Sequence, residues 1–370
     1  MIVILRNITV NFFAGMFFVI LSGILMHSEV NAMSLLPNLS EGLSLYAPVL
    51  SRDGRVIVFT YQVGTKYPSL GVYQVDADKL APIALPGGFA WISPVISQDG
   101  RYIAAVTDCL HNCPSGEEGH QVVLLDLSQP TVNFTFLTKG KKYRGNPMFS
   151  PDGKRLIFVT GRILPTDRGD LVTDYGFSMV PISGGSEIKI ASTEEGKNRF
   201  YAIDRPYFLS KTHIIFSAIP FYPDGPIATK AAALGKTISE PVGISLYFAK
   251  KDNEYDLLPE NKHHTMGGLT ASLKGDIVFT DLSEGEPETT DGAFNYELFM
   301  SHMGKVTQLT HIKSFISAPF ISGDGSTVVF LEDKGRNGAR DIVIYDTASG
   351  QLTKTGIRGK ILKHLKVEKR

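Results

Sequence analysis

The stretch APVLSRDGRVIVFT at 47–60 returns as SPVISQDGRYIAAVT at 93–107, NPMFSPDGKRLIFVT at 146–160 and APFISGDGSTVVFL at 318–331. Each copy sets a Pro five residues ahead of the Asp of an Asp-Gly pair. Two weaker copies, RPYFLSKTHIIFSA from Arg205 and GLTASLKGDIVFT from Gly268, keep the frame and lose that Asp. With Pro48, Pro94, Pro147, Pro206, Leu269 and Pro319 as anchors, the chain carries six units, 46 to 63 residues apart. A period of this length marks a repeat architecture and outranks every local signal in deciding the fold.

The units share an internal grammar. An extended segment enters the Asp-Gly turn, whose residues tolerate the positive φ that a tight hairpin needs. A β-branched strand leaves it, such as Val56-Ile-Val-Phe-Thr60. A third strand follows a variable loop, at 70–76, 121–127, 175–181, 245–250, 296–301 and 340–346, and short fourth strands follow at 186–191, 305–310 and 350–355. Four antiparallel strands per unit, repeated six times with little helical periodicity, predict an all-β, six-bladed β-propeller.

Residues 46–358 are assigned to this ring, 1–32 to a signal peptide, 33–45 to an N-terminal segment offering Leu35-Leu36 as a closing strand, and 359–370 to a basic tail. The leader reading rests on Arg6, the uncharged run Phe12 to Met26 and the small-residue site at Val30-Asn31-Ala32. It places the mature chain in the periplasm or outside the cell, with no stable membrane span after cleavage; a retained anchor is the alternative. The 37 basic and 37 acidic residues cancel, so no global field draws nucleic acid. The basic tail reads as a frayed helix at a solvated terminus, or as a contact for an acidic partner or an anionic membrane surface.

Cys109 and Cys113, in CLHNC, are the two cysteines. In an oxidising compartment they form a small disulfide clip. The competing reading joins them to His111 and His120 as a zinc site.

Functional positions are expected at one face, where the loops between second and third strands differ in length while the Asp-Gly turns stay short. The binding face is assigned to Trp91, Arg144, Tyr201, Arg205, His264 and His311, with Phe89, Tyr143, Phe200, His263 and Phe315 nearby. Trp and Arg are enriched where interfaces concentrate their energy, although a large aromatic at an inner strand also packs between blades. Asp108, Asp281 and Asp333 each end a second strand and are the metal candidates, for calcium or zinc. No G-x-S-x-G, H-E-x-x-H or phosphate-loop motif occurs.

With the repeats laid out, PMFSPDGKRLIFVTG resembles the WD-like repeat of the TolB-like propeller family, found also in the propeller domains of prolyl oligopeptidases. The resemblance runs from Tyr46 to Thr355 and degenerates at Leu209-Ser210-Lys211-Thr212 and Ser272-Leu273-Lys274-Gly275. It implies an exported propeller that binds partner proteins in the cell envelope. The stretch from Ala32 to Tyr46 leaves no room for TolB's preceding α/β domain, and the peptidases' catalytic domain has no counterpart after the last unit. The expectation is therefore a monomeric, non-catalytic protein-binding scaffold without a cofactor. The alternative is a metal-dependent hydrolase or lyase at the loop face of the central tunnel.

Overall fold

A computed structural model describes residues 42–83, 85, 87–109, 119–128, 133–166, 169–192, 200–209, 213–220, 245–249, 255–257, 268–282, 296–333 and 340–368. The leader, Leu35-Leu36, Cys113, His111, His263 and His264 lie outside these residues, and of Cys109, Phe200 and Tyr201 only the backbone is described.

Six antiparallel sheets follow one another along the chain. The first holds β1 (Leu43–Leu50), β2 (Val56–Val63), β3 (Ser69–Gln74) and β4 (Lys79–Pro82). The second holds β5 (Phe89–Ile96), β6 (Tyr102–Cys109), β7 (Gly119–Asp126) and β8 (Asn133–Phe136). The third is formed by β9 (Tyr143–Phe149), β10 (Arg155–Thr166), β11 (Gly169–Pro181) and β12 (Ile188–Ser192). The fourth contains β13 (Phe200–Ile203), β14 (Tyr207–Phe208), β15 (Ile214–Pro220), β16 (Ser245–Ala249) and β17 (Tyr255–Leu257). In the fifth are β18 (Leu269–Ala271), β19 (Ile277–Leu282), β20 (Tyr296–His302) and β21 (Lys305–Gln308). The sixth comprises β22 (Phe315–Ile321), β23 (Thr327–Asp333), β24 (Asp341–Asp346) and β25 (Leu352–Lys354).

Five sheets carry the expected four-strand pattern, and the fourth departs from it with five. Its inner strand is broken into β13 and β14, both paired with β15. The break falls at Asp204-Arg205-Pro206, where the proline removes a ladder donor. Inner strands pack from β1 to β5 to β9 and from β14 to β18 to β22, β11 packs on β13 between the third and fourth sheets, and β1 returns to pack on β22 and β23, so the sheets form a ring.

The repeat has a physical cause at each end of the inner strand. Before the prolines, Ala47, Ser93, Asn146 and Ala318 sit at φ of 46°, 49°, 49° and 49°. At each of these places the inner ladder slips register, between Tyr46 and Val49 in β1 for example. These are β-bulges, which bend a strand and leave a residue unpaired, a place where Pro costs no hydrogen bond.

At the far end, Ser51, Ser97, Ser150 and Ser322 donate from Oγ to Oδ1 of Asp53, Asp99, Asp152 and Asp324 at 2.5–2.7 Å. The same Oγ accepts the first backbone N–H of the second strand, from Val56, Tyr102, Arg155 and Thr327, at 2.9–3.0 Å. The fifth sheet lacks Asp before its glycine, yet Asp276 just after it takes the same hydroxyl, with Ser272 Oγ at 2.7 Å from its Oδ2. The degenerate copy thus keeps the interaction by another route.

Between sheets, the core is built by Phe59, Phe158, Phe279 and Phe330, all fully buried from second strands. Gly71 stands opposite Phe59 in the β2–β3 ladder. A Cβ on it would lie 2.4 Å from the Phe59 ring, so the ring occupies the space any side chain would need.

The expected solvated tail is instead a docked helix. Residues Ile357–Glu368 form α1, and Ile357 and Ile361 are buried. The Arg358 guanidinium donates to the Leu43 carbonyl, and Lys360 Nζ reaches Asp78 Oδ1 at 2.6 Å. Both partners belong to the first sheet, while the Arg358 N–H bonds Asp341 Oδ1 of the sixth at 3.4 Å. The helix therefore straps the last sheet to the first, and burial of one isoleucine face explains why a sequence so rich in lysine does not fray.

Candidate functional site

Arg205 is the residue where the ring converges. It belongs to the fourth sheet, its Nη1 donates to the Pro94 carbonyl of the second at 2.8 Å, and its guanidinium lies 5.9 Å from the Phe320 ring of the sixth. In a ring whose sheets pack in order, a side chain that meets both must stand on the axis. It is 6% exposed, and burial pulls its pKa below the usual arginine value.

The groups around it bond one another. Asp204 Oδ1 accepts the Arg205 backbone N–H at 2.7 Å and Asn146 Nδ2 at 3.4 Å. Asn146 Oδ1 accepts from Ser93 Oγ at 3.1 Å. Burial raises the Asp204 carboxyl above its ordinary value, opposed by the Arg205 N–H and the Arg205 charge. Tyr207 packs its ring 5.9 Å from Phe320, and burial pushes the Tyr143 phenol up to about 12, with the Asp204 charge adding to it.

The remaining assigned positions scatter. Trp91 and Arg144 are each 1% exposed, so neither is a rim contact as expected. Trp91 lies edge-on to Phe134 of its own sheet at 5.5 Å. Arg144 spends its fork on Glu187 Oε2, with Nε at 3.0 Å and Nη2 at 2.9 Å, and on the carbonyls of Lys139, Gly140 and His120. His311 is exposed and faces Gln308 Nε2 at 3.0 Å.

Asp108 is buried with His120 Nε2 at 4.0 Å, Asp281 is buried, and Asp333 pairs with Arg340 Nε at 3.2 Å. Asp108 and Asp333 find these partners within their own sheets, and among the described residues no three His, Cys, Asp or Glu side chains gather as a metal site.

Between the expected second and third strands of the third unit, where a loop would follow Thr160, residues 161–166 and 169–174 are strand: β10 and β11 stay paired from Arg162 with Thr173 out to Thr166 with Gly169. Sequence reading missed Ser93, Asn146 and Asp204. The signal was available, since Ser93, Asn146 and Arg205 all occupy the position before a unit's proline.

This geometry can be set beside known proteins. No family model matches the chain, and no curated protein matches it. Solved structures share its architecture: TolB from Acinetobacter baumannii superposes with a TM-score of 0.52 at 17% identity, over 87% of this chain and 65% of TolB. The chain is a β-propeller. A puromycin hydrolase matches with a TM-score of 0.52 at 11% identity, over 86% of this chain and 54% of its own. A puromycin-hydrolyzing peptidase from Mycobacterium tuberculosis gives 0.51 at 12%, over 85% and 53%. The propeller thus spans just under two thirds of TolB and about half of the two hydrolases. No helix among the described residues is long and apolar enough to cross a membrane.

Proposed function

We propose that this chain is an exported, non-catalytic propeller that binds a protein partner in the cell envelope, with the irregular fourth sheet counted as the blade that completes a ring of six. The observation that carries this reading is the axis. An enzyme working at a propeller's tunnel needs side chains from several blades held free for substrate. Here the converging groups, Ser93, Asn146, Asp204 and Arg205 with the Pro94 carbonyl, are engaged with one another. They act as an axle, and the rim and blade edges are left as the surfaces for recognition.

The apolar leader motivates export, and the likeness to TolB in fold motivates a scaffold. The test is capture of the tagged mature protein with its cross-linked neighbours from envelope extract, alongside native mass spectrometry. One reproducible protein partner and a bare native mass are expected. A stoichiometric metal or small molecule released on unfolding, with no protein captured, would replace this reading with the hydrolase or lyase alternative.

A further inference from the structure

A cleft of about 420 Å³ opens beside the third sheet, with Lys141, Lys142, Arg162 and Lys189 around Glu187. That is within the ordinary size range of ligand pockets. Its single carboxylate is already neutralised from beneath, because the buried Arg144 fork holds Glu187 Oε2. Arg162 is held by Asp174 Oδ2 at 2.9 Å. Lys142 Nζ stands 3.7 Å from Glu187 Oε1, and Lys141 and Lys189 are exposed and have no ion-pair partner among the described residues. Three lysine charges therefore crowd one mouth. Glu187 Oε1 is itself buried, accepts no hydrogen bond and has Lys142 Nζ as its neighbouring cation.

A second feature adjoins it. Lys189 lies on β12, the outer strand of its sheet, whose far edge pairs with no other strand among the described residues. On either side of Lys189 this edge exposes Ile188 at 62% and Ile190 at 41%. The outer strands β8 and β21 instead expose Asn133, Thr135, Lys305 and Thr307. Exposed apolar side chains on an open edge invite strand addition, which polar edges resist.

The geometry points to a docking strip on β12 for an extended acidic peptide segment of the protein partner, added as a further strand. This deepens the binding function proposed above and rests on it. β12 carries a bulge that leaves Ile190 without a partner on β11, so a segment mixing acidic and apolar residues sets carboxylates toward Lys189, Lys141 and Lys142, and apolar groups beside Ile188 and Ile190. A polyphosphate or nucleic-acid strand satisfies the lysines but offers nothing to the isoleucines.

The experiment titrates the full mature chain into a fluorescein-labelled peptide alternating Val and Glu, followed by anisotropy. A Val/Lys peptide and a polyuronate oligomer serve as comparisons. Binding of the Val/Glu peptide is expected, weakened roughly tenfold or more when Lys141→Glu and Lys189→Glu are combined. It should also weaken when salt rises from about 50 to about 500 mM, and hydrogen exchange should slow across 188–192. Ile188→Ser with Ile190→Ser should weaken binding while leaving the charge of the strip unchanged.

Equal affinity of wild type and the Lys141/Lys189 variant overturns the proposal, as does no binding, equal binding of the Val/Lys peptide, or unchanged exchange in β12. Preference for the polyuronate overturns it in favour of an acidic glycan. Partner capture from envelope extract reads separately. If the charge-reversed protein captures the same partner undiminished, the strip is wrong and the binding function stands; if wild type captures nothing while the peptide binds at β12, the function fails and the strip stands.

Discussion

Replacing Arg205 by Met keeps much of its volume and removes its charge. Three interactions vanish: the 2.8 Å bond to the Pro94 carbonyl, the contact with the Phe320 face at 5.9 Å and the attraction for Asp204. A hydrogen bond from a charged donor is worth about 1.5–3 kcal/mol. The buried Asp204 carboxylate also loses the attraction of the nearby Arg205 charge, a smaller effect than the hydrogen bond. At roughly 2 °C per kcal/mol for a chain of this size, Tm should fall by about 3–6 °C.

Urea unfolding followed through Trp91, the single tryptophan and 1% exposed, reports the change. The double variant Asp204→Asn with Arg205→Met removes both charges and should regain part of the loss, a coupling of about 0.5–3 kcal/mol. Arg205 is no axle if Arg205→Met alone stays within about 0.5 kcal/mol of wild type, the scatter of surface substitutions, or if the double variant is no better than the single.

Further outcomes follow from other parts of the ring. Gly71→Ala drives a methyl into the Phe59 ring 2.4 Å away and should cost about 1–3 kcal/mol; an unchanged urea midpoint would show that the ring yields freely. Ile361→Asp puts an acid at a buried position of α1 and should release the strap, giving early proteolysis at the C-terminus and a loss of about 2–4 kcal/mol; full protease resistance would contradict the helix's closing role. The turn carboxylates set the acid limb. The Ser150 hydroxyl and the Lys154 N–H hold Asp152 below the usual range, and Ser97 and the Arg101 N–H do so for Asp99, with burial opposing both. A depressed folded pKa contributes stability that is complete above the unfolded value of about 3.9 and is lost as pH falls through the folded one. Stability should therefore hold from neutral pH down to about 5 and decline below about 4; Asp204, whose folded value is raised, works in the opposite sense. Asp152→Asn should flatten the acid decline, which pH-dependent urea midpoints would detect, and an identical slope in the variant would remove these turns as its source.

The repeat was legible from the sequence because its two punctuation marks are local. A proline five residues before Asp-Gly needs only its own neighbours to form a bulge and a turn, so the strands of five blades and their order could be read directly. The lost Asp in the fifth unit hid nothing, since Ser272 finds Asp276 within the same turn. The site was far less legible. Arg205, Asn146 and Trp91 all carry residue types that suit a binding rim, and composition cannot tell a rim from an axis. Their positions depend on ring closure, which brings residues 94, 205 and 320 together across more than a hundred positions of chain. The tail likewise looks soluble when read by charge, and only the seam between the first and sixth sheets gives Ile357 and Ile361 a surface to bury against. Local hydrogen-bond chemistry fixed the blades; long-range packing decided which polar side chains became structure and which, such as Lys141 and Lys189, stayed free to meet something else.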